Sequence, residues 1–227
     1  MGQPLLALLK ALPHERILDL GCGHGTLTQH IAPLCDHVVA VDASENMVKH
    51  AQSTGLDARV INGESLNFNS EFDAIFSNAA LHWMLKPGAV LNGCFRALKP
   101  NGRIVAEMGG SGNVKHIVEA LNNQRVLLDF EPVMPWFFPD VEEYSELARN
   151  AGFKIRSIQL FERPTPLPTG IKQWLTTFAH HFVSDLTTAQ SDHLISQTCK
   201  NLEDKLMDSG GGWFADYVRL RFELYKS

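Results

Sequence analysis

The chain is poor in the features that mark specialised protein classes, and each shortage removes possibilities. Its four cysteines, Cys22, Cys35, Cys94 and Cys199, are widely spaced and form no C-x-x-C pair. That spacing argues against a zinc site or a disulfide framework and leaves free thiols in a reduced cytoplasm as the expected state. No apolar run is long enough to span a bilayer, so no membrane partner is expected. Met1-Gly-Gln-Pro-Leu-Leu6 has no basic flank, and Lys10 interrupts its apolar stretch, which argues against a signal peptide. Acylation at Gly2 wants Ser or Thr at position 6, where Leu6 stands. Net charge is −5, without the clustered basic face that nucleic acid requires, so no nucleic-acid partner is expected. Repeats are absent, and Gly210-Gly-Gly212 is the only low-complexity piece.

What remains is an ordinary globular composition, 44% hydrophobic and 20% charged over 227 residues. At ~100–200 residues per domain, a single α/β domain with an insertion fits best. A chain of this length buries on the order of 70% of its unfolded surface and needs no staple. Aromatic residues are unevenly placed: 15 of the 20 Phe, Trp and Tyr lie after Asp129. The two parts of the chain are therefore expected to do different work.

Residues 1–112 alternate strand and helix. Arg16–Leu20, His37–Asp42, Ala58–Ile61, Phe72–Ser77 and Arg103–Glu107 read as short buried strands. A helical pattern begins near Thr26, with Leu27, Ile31 and Leu34 on one face. Ser44 is placed to cap the next helix, and Pro87 opens another that runs to Leu98. Five such alternations with short loops predict a doubly wound parallel sheet covered on both faces. In residues 113–227, a helix is expected over 113–128 and another from the Asp140 cap to Gly152. Strands over about 154–161 and 213–225 complete the sheet. A helical insertion over about 164–212 separates them.

The sharpest motif is Asp19-Leu-Gly-Cys-Gly-His-Gly25, at the end of the first strand. Glycines there let the backbone approach a ligand, and the following helix N-terminus offers free N–H groups. Asp42, about 20 residues on at the end of the second strand, is placed to accept both hydroxyls of a ribose. A dinucleotide loop spaces its glycines G-x-G-x-x-G. Here Thr26 stands where that third glycine belongs.

At this point the sequence resembles a class I S-adenosylmethionine-dependent methyltransferase. The resemblance rests on Ile17-Leu-Asp-Leu-Gly-Cys-Gly-His-Gly25, Val41-Asp42, Asn62-Gly-Glu-Ser65, Phe72-Asp-Ala-Ile-Phe-Ser-Asn78 and Leu98-Lys-Pro-Asn-Gly102. Ser77-Asn-Ala-Ala-Leu-His-Trp83 is similar in particular to the trans-aconitate and malonyl-carrier-protein carboxyl methyltransferases. The resemblance implies a Rossmann-like, mostly parallel seven-stranded sheet, with S-adenosylmethionine as cofactor and S-adenosylhomocysteine as product. It implies that Gly21, Cys22 and Gly23 pass under the methionine part and that Asp19 sits near its ammonium. Asp42 would hold the ribose, Ala43 and Met47 would pack on the adenine, and Glu64 and Ser65 would lie at the adenine amino group. Ser77, Asn78 and Ala79 would line the wall facing the sulfonium.

An acceptor that is already a carboxylate needs no base, whereas an alcohol or amine often does. His82, just past the fourth strand, is the candidate for that base; a satisfied wall residue is the alternative. Glu107 ends the fifth strand equally close. Candidates for the substrate pocket are Trp83, Glu107, Trp136, Trp174, Arg163 and Trp213, the later aromatics serving as a cap. Arg163, Arg219 and Arg221 could hold an anionic acceptor, although a solvated face is the commoner fate of a pair like Arg219 and Arg221. His180-His181 lacks a third ligand, so no metal site is expected. The N-terminal segment Gln3–Leu12 can supply only a short helix, less than the lid of many relatives.

The expected function is methyl transfer to a small molecule, with an acidic acceptor leading. A non-catalytic S-adenosylmethionine-binding module is the rival, and a nicotinamide oxidoreductase a distant third. No motif encodes the oligomeric state.

Overall fold

The computed structural model describes residues 2–227. In chain order it contains α1 (Gln3–Leu9), β1 (Arg16–Leu20), α2 (Thr28–Ile31), β2 (His37–Asp42), α3 (Glu45–Ser53) and β3 (Asp57–Val60). There follow β4 (Phe72–Asn78), α4 (Pro87–Ala97), β5 (Leu98–Gly109), α5 (Lys115–Leu127), α6 (Val141–Asn150) and β6 (Lys154–Glu162). The chain ends with β7 (Thr165–Pro166), α7 (Gly170–Phe178), α8 (His180–Val183), α9 (Thr188–Leu206), β8 (Phe214–Ala215) and β9 (Val218–Tyr225). Two compact units emerge. The first comprises Met1–Gly110, Trp136–Leu160 and Leu220–Ser227, and the second Ser111–Pro135 and Phe161–Arg219.

The first unit is built on a seven-stranded sheet of order β3-β2-β1-β4-β5-β9-β6. The pairs β1–β2, β1–β4, β2–β3 and β4–β5 are parallel. Such strands bury both faces, which is why they read as nearly continuous apolar runs. Leu18, Leu20, Val39, Val41, Ile75 and Ile104 share one core with Leu220 and Phe222 of β9. Ile17, Val38, Ala74, Phe76 and Val105 face the other way and pack with Leu5 and Leu9 of α1. The short N-terminal helix is therefore a cover for the sheet face. Arg103 fixes its C-terminus, donating from Nε and Nη2 to the Leu9 carbonyl at 3.1 and 2.7 Å and pairing with the buried Glu15 carboxylate.

Ser44 caps α3 as expected, accepting from the Met47 N–H. Three expected boundaries shift for physical reasons. The helical pattern from Thr26 yields only α2 and a 3-10 turn at Ala32–Leu34, because Pro33 lacks the N–H an α-helix would need. β5 starts at Leu98 rather than Arg103, its pairing with β4 shifting register between Phe72 and Ala74. The expected strand over 213–225 is two pieces. Phe214–Ala215 pairs antiparallel with Thr165–Pro166, and Val218–Tyr225 enters the large sheet. Asp216 makes the break: its Oδ2 accepts both the His116 backbone N–H and His116 Nδ1 at 2.9 Å, and its carbonyl accepts from Val114 N–H.

In the second unit α9 packs along α5, and Trp174 donates its Nε1–H to Tyr217 Oη at 2.6 Å. Its hub is Arg125, 2% exposed. The guanidinium donates from Nε to the Glu131 carbonyl, from Nη1 to the Phe182 carbonyl, and from both Nη atoms to Asp185, at 2.7–2.8 Å. A four-residue helix such as α8 has no stability of its own, so these bonds hold it in place. Arg125→Met preserves bulk but orphans buried carbonyls, and thermal unfolding should show a loss of about 1–3 kcal/mol. An unchanged midpoint would show that the guanidinium bonds add nothing net.

Candidate functional site

The loop after β1 is tied to β2 by two bonds, Gly21 N–H and Cys22 N–H both donating to the Val41 carbonyl at 2.8 and 3.0 Å. Gly21 has φ +79°, and a Cβ there would fall 2.1 Å from that of Ala80, so only glycine fits. Gly23 also has positive φ, but no atom lies within 4 Å of where its Cβ would be. Gly23 thus presents an open backbone. Asp42 completes the turn: Oδ2 accepts from Gly23 N–H at 3.0 Å and Oδ1 from Ser44 N–H at 2.9 Å. Each carboxylate oxygen keeps a second lone pair, enough to take one hydroxyl of a cis-diol.

Asp19 is 2% exposed and accepts from Thr28 Oγ at 2.6 Å. Burial, reinforced by the charge of Asp42 and opposed by the Thr28 bond, pushes its pKa up to about 7. A buried carboxylate that ionises reluctantly is one that a cation would stabilise. The neighbouring Cys22 thiol is pushed up to about 12 by burial first and then by Asp19 and Asp42, so it stays neutral. Thr28 was not among the residues singled out from sequence. Its contact spans nine residues, and a threonine in a first helical turn carries no motif of its own.

Glu64 is half-buried. Its backbone N–H donates to Asn62 Oδ1, and its Oε1 accepts from Lys86 N–H at 3.0 Å. Met47 is half-buried, while Ala43 and Ser65 are exposed. At the end of β4, Ser77 is 1% exposed and its hydroxyl is spent on the Leu20 carbonyl at 2.7 Å. Asn78 is half-buried, and Ala79 adopts φ +56° as its N–H donates to the Glu107 carbonyl at 2.7 Å.

His82 is buried, and its Nδ1 accepts from Gly109 N–H at 3.2 Å. A neutral imidazole that accepts at Nδ1 carries its proton on Nε2. Phe137 N–H donates to the His82 carbonyl at 2.9 Å. The rings of His82, Trp83, Trp136 and Phe138 close a four-membered circuit of contacts, centroids 5.5–5.7 Å apart. Two residues before Gly109, Glu107 is 4% exposed and accepts at Oε2 from Arg221 Nε and Nη2 at 2.9 and 2.6 Å. Arg221 and Arg219 are thus not a solvated pair, since Arg219 is 9% exposed with its guanidinium 4.1 Å from the Tyr217 ring centroid. Arg221, one of the sequence candidates for an anionic acceptor, is bonded here to Glu107, and Gly109 and Phe138 reach His82 through contacts remote in the chain.

Trp174, Arg163 and Trp213 belong to the second unit. Trp174 is buried and bonded to Tyr217, Arg163 lies over the Phe161 ring at 5.1 Å, and Trp213 bridges to Met207. Among the described residues no group of three His, Cys, Asp or Glu could hold a metal ion. No helix among them is long and apolar enough to cross a membrane.

Residues 18–106 match the family described as "Methyltransferase domain". An uncharacterized methyltransferase of Schizosaccharomyces pombe is 38% identical over 227 aligned residues, 93% of this chain and 86% of that protein. The chain belongs to the class I S-adenosylmethionine-dependent methyltransferases. A trans-aconitate 2-methyltransferase of Mycolicibacterium gilvum is 27% identical over 81% of this chain and 70% of that one. Among solved structures, a methyltransferase of Bacillus halodurans is similar in fold, with TM-score 0.67 at 17% identity over 98% of this chain and 97% of the other. The S-adenosylmethionine complex of phosphoethanolamine N-methyltransferase 2 from Haemonchus contortus gives TM-score 0.62 at 19% identity, covering 98% of this chain and 52% of that one.

S-adenosylmethionine is the cofactor of this methyltransferase, and the donor set suits it. Its sulfonium and ammonium are cationic, and the loop offers carboxylates and an open glycine backbone. One consequence is measurable without substrate. Asp19 has a folded pKa of about 7 against an ordinary 3.8, so the folded state holds a proton that the unfolded chain releases. Stability of the cofactor-free protein should therefore fall as pH rises through that window, and Asp19→Asn should flatten the slope. The same variant should bind S-adenosylmethionine about tenfold or more weakly. Denaturant midpoints from pH 4 to 8 and calorimetry check the two effects. Parallel pH profiles for wild type and variant would contradict the first.

Proposed function

We propose that this methyltransferase acts on a carboxylate oxygen of a small organic acid, forming a methyl ester. The observation that carries the reading is the Gly109 N–H bond to His82 Nδ1. It favours the tautomer protonated at Nε2, a hydrogen-bond donor rather than a base. A donor suits an acceptor that is already ionised at neutral pH, whereas an alcohol or ammonium would need its proton removed. The trans-aconitate 2-methyltransferase relative points in the same direction.

When bound, S-adenosylmethionine supplies an electrophilic methyl group on a sulfonium. The chain's part is to hold and align. Asp19 would take the ammonium, Gly21, Cys22 and Gly23 the methionine backbone, and Asp42 the ribose hydroxyls. Ala43 and Met47 would pack on the adenine, with Glu64 and Ser65 at its amino group. Asn78 and Ala79 would border the transferred methyl, with Ser77 supporting that wall from inside. His82 would donate to the acceptor carboxylate, beside Trp83, Trp136 and Glu107. Alignment of this kind dominates the rate of a direct displacement. The four free thiols accord with a cytoplasmic setting.

A panel of di- and tricarboxylates, alcohols and amines, assayed with methyl-labelled cofactor, tests the reading. The expected product releases labelled methanol in mild alkali. Its kcat should be flat from about pH 6 to 9, because no base titrates in the bound complex. His82→Gln, which keeps a donor, should retain more activity than His82→Ala. Alkali-stable label on nitrogen or an alcohol would overturn the proposal.

A further inference from the structure

The second unit carries a groove with no part in the methyl-transfer residues described above. It is bounded by α7, α8 and α9, holds about 640 Å³, and lies wholly within the second unit. Sites for small organic ligands fall in this size range. Its wall includes Leu175, which is 1% exposed, together with the half-buried Val183, Ile195 and Cys199. Burial raises the pKa of the Cys199 thiol, so it serves as one more neutral, apolar wall group. Along α9 the lining residues run from Ser191 to Lys200 on one face, roughly 13 Å at ~1.5 Å per residue.

Charge is distributed unevenly along this strip. Lys172 of α7 and Lys200 of α9 line the groove from different helices, and the Cys199 thiol feels the Lys172 charge. Among the described residues neither ammonium forms an ion pair. Asp192, the groove's one carboxylate, lies eight residues before Lys200 on α9, about two helical turns away, and Glu203 stands one turn beyond. The wall is held before any ligand arrives, because Arg125 clamps α8 through the Phe182 carbonyl and Asp185. The combination is a groove with an apolar strip, Leu175, Val183 and Ile195, bordered by the polar Thr176, His180 and Ser196, with two cations at one end.

We propose that the groove between α7, α8 and α9 binds an amphipathic carboxylate, its acyl chain along Leu175, Val183 and Ile195 and its head between Lys172 and Lys200. Its test does not depend on what the enzyme methylates.

Cys199 is a built-in reporter. Iodoacetamide alkylation of the intact chain, mapped by mass spectrometry, reads its accessibility, with Cys22 and Cys35 as internal controls. Decanoate at ten times its Kd should slow Cys199 alkylation about tenfold and leave the controls unchanged. Decanol, of the same chain without the charge, should protect far less. Lys172→Gln with Lys200→Gln, both exposed positions, should weaken decanoate about tenfold while leaving S-adenosylhomocysteine affinity unchanged. Ile195→Asp should abolish protection by a different route, and its fold is verified by the same cofactor titration. Absence of protection in the wild type, equal protection by decanol, or undiminished decanoate affinity in the double lysine variant would each overturn the proposal. So would sedimentation showing that a second copy of the chain closes the groove.

Discussion

The carboxylate of Asp42 is the constraint on which the glycine loop after β1 rests. It ends β2, draws the Gly23 N–H onto one oxygen, and draws the Ser44 N–H onto the other. One side chain thereby fixes the glycine turn after β1 and the entry to α3. The turn is held a second time by the Val41 carbonyl, which accepts from Gly21 and Cys22. With the loop pinned at both points, Gly23 can stay open without becoming loose. Buried Asp19 beneath it can remain poised near neutrality, because Thr28 alone supports its charged form. A cationic ligand completes that arrangement; an anionic one would oppose it.

A related economy governs the far side of the site. Gly109 at the end of β5 selects the His82 tautomer, and the Trp136–Phe138 segment packs its rings on His82 and Trp83. The Glu107–Arg221 pair places a buried carboxylate there without leaving its charge uncompensated. The Gly109 N–H and the ring packing thus orient the histidine, with Nδ1 as the acceptor.

How much of this was legible in the sequence depended on chain separation. The parallel strands, the Ser44 cap, the glycine loop and Asp42 are local patterns with fixed spacing, and they stand close to where the residues placed them, apart from the early start of β5. Thr28 lay nine residues from its partner, and Arg221 lies 114 residues from Glu107. No periodicity reports such pairings. The strand expected over 213–225 failed at Asp216 because a carboxylate turned to cap α5 and interrupted an otherwise alternating run. In the second unit, helices α7 and α9 were visible in their periodicity. The hub that ties α8 to α5 was not, because a buried arginine bonded to carbonyls looks from sequence like any surface cation.

The proposed double role of Asp42, shaping the loop and holding the cofactor's ribose, is addressed by one titration. Asp42→Asn keeps the size of the side chain and loses one acceptor, leaving either a backbone N–H or a ribose hydroxyl unsatisfied. Calorimetric binding of S-adenosylhomocysteine should be micromolar in the wild type and about tenfold or more weaker in the variant. Equal affinity in the two proteins would contradict it.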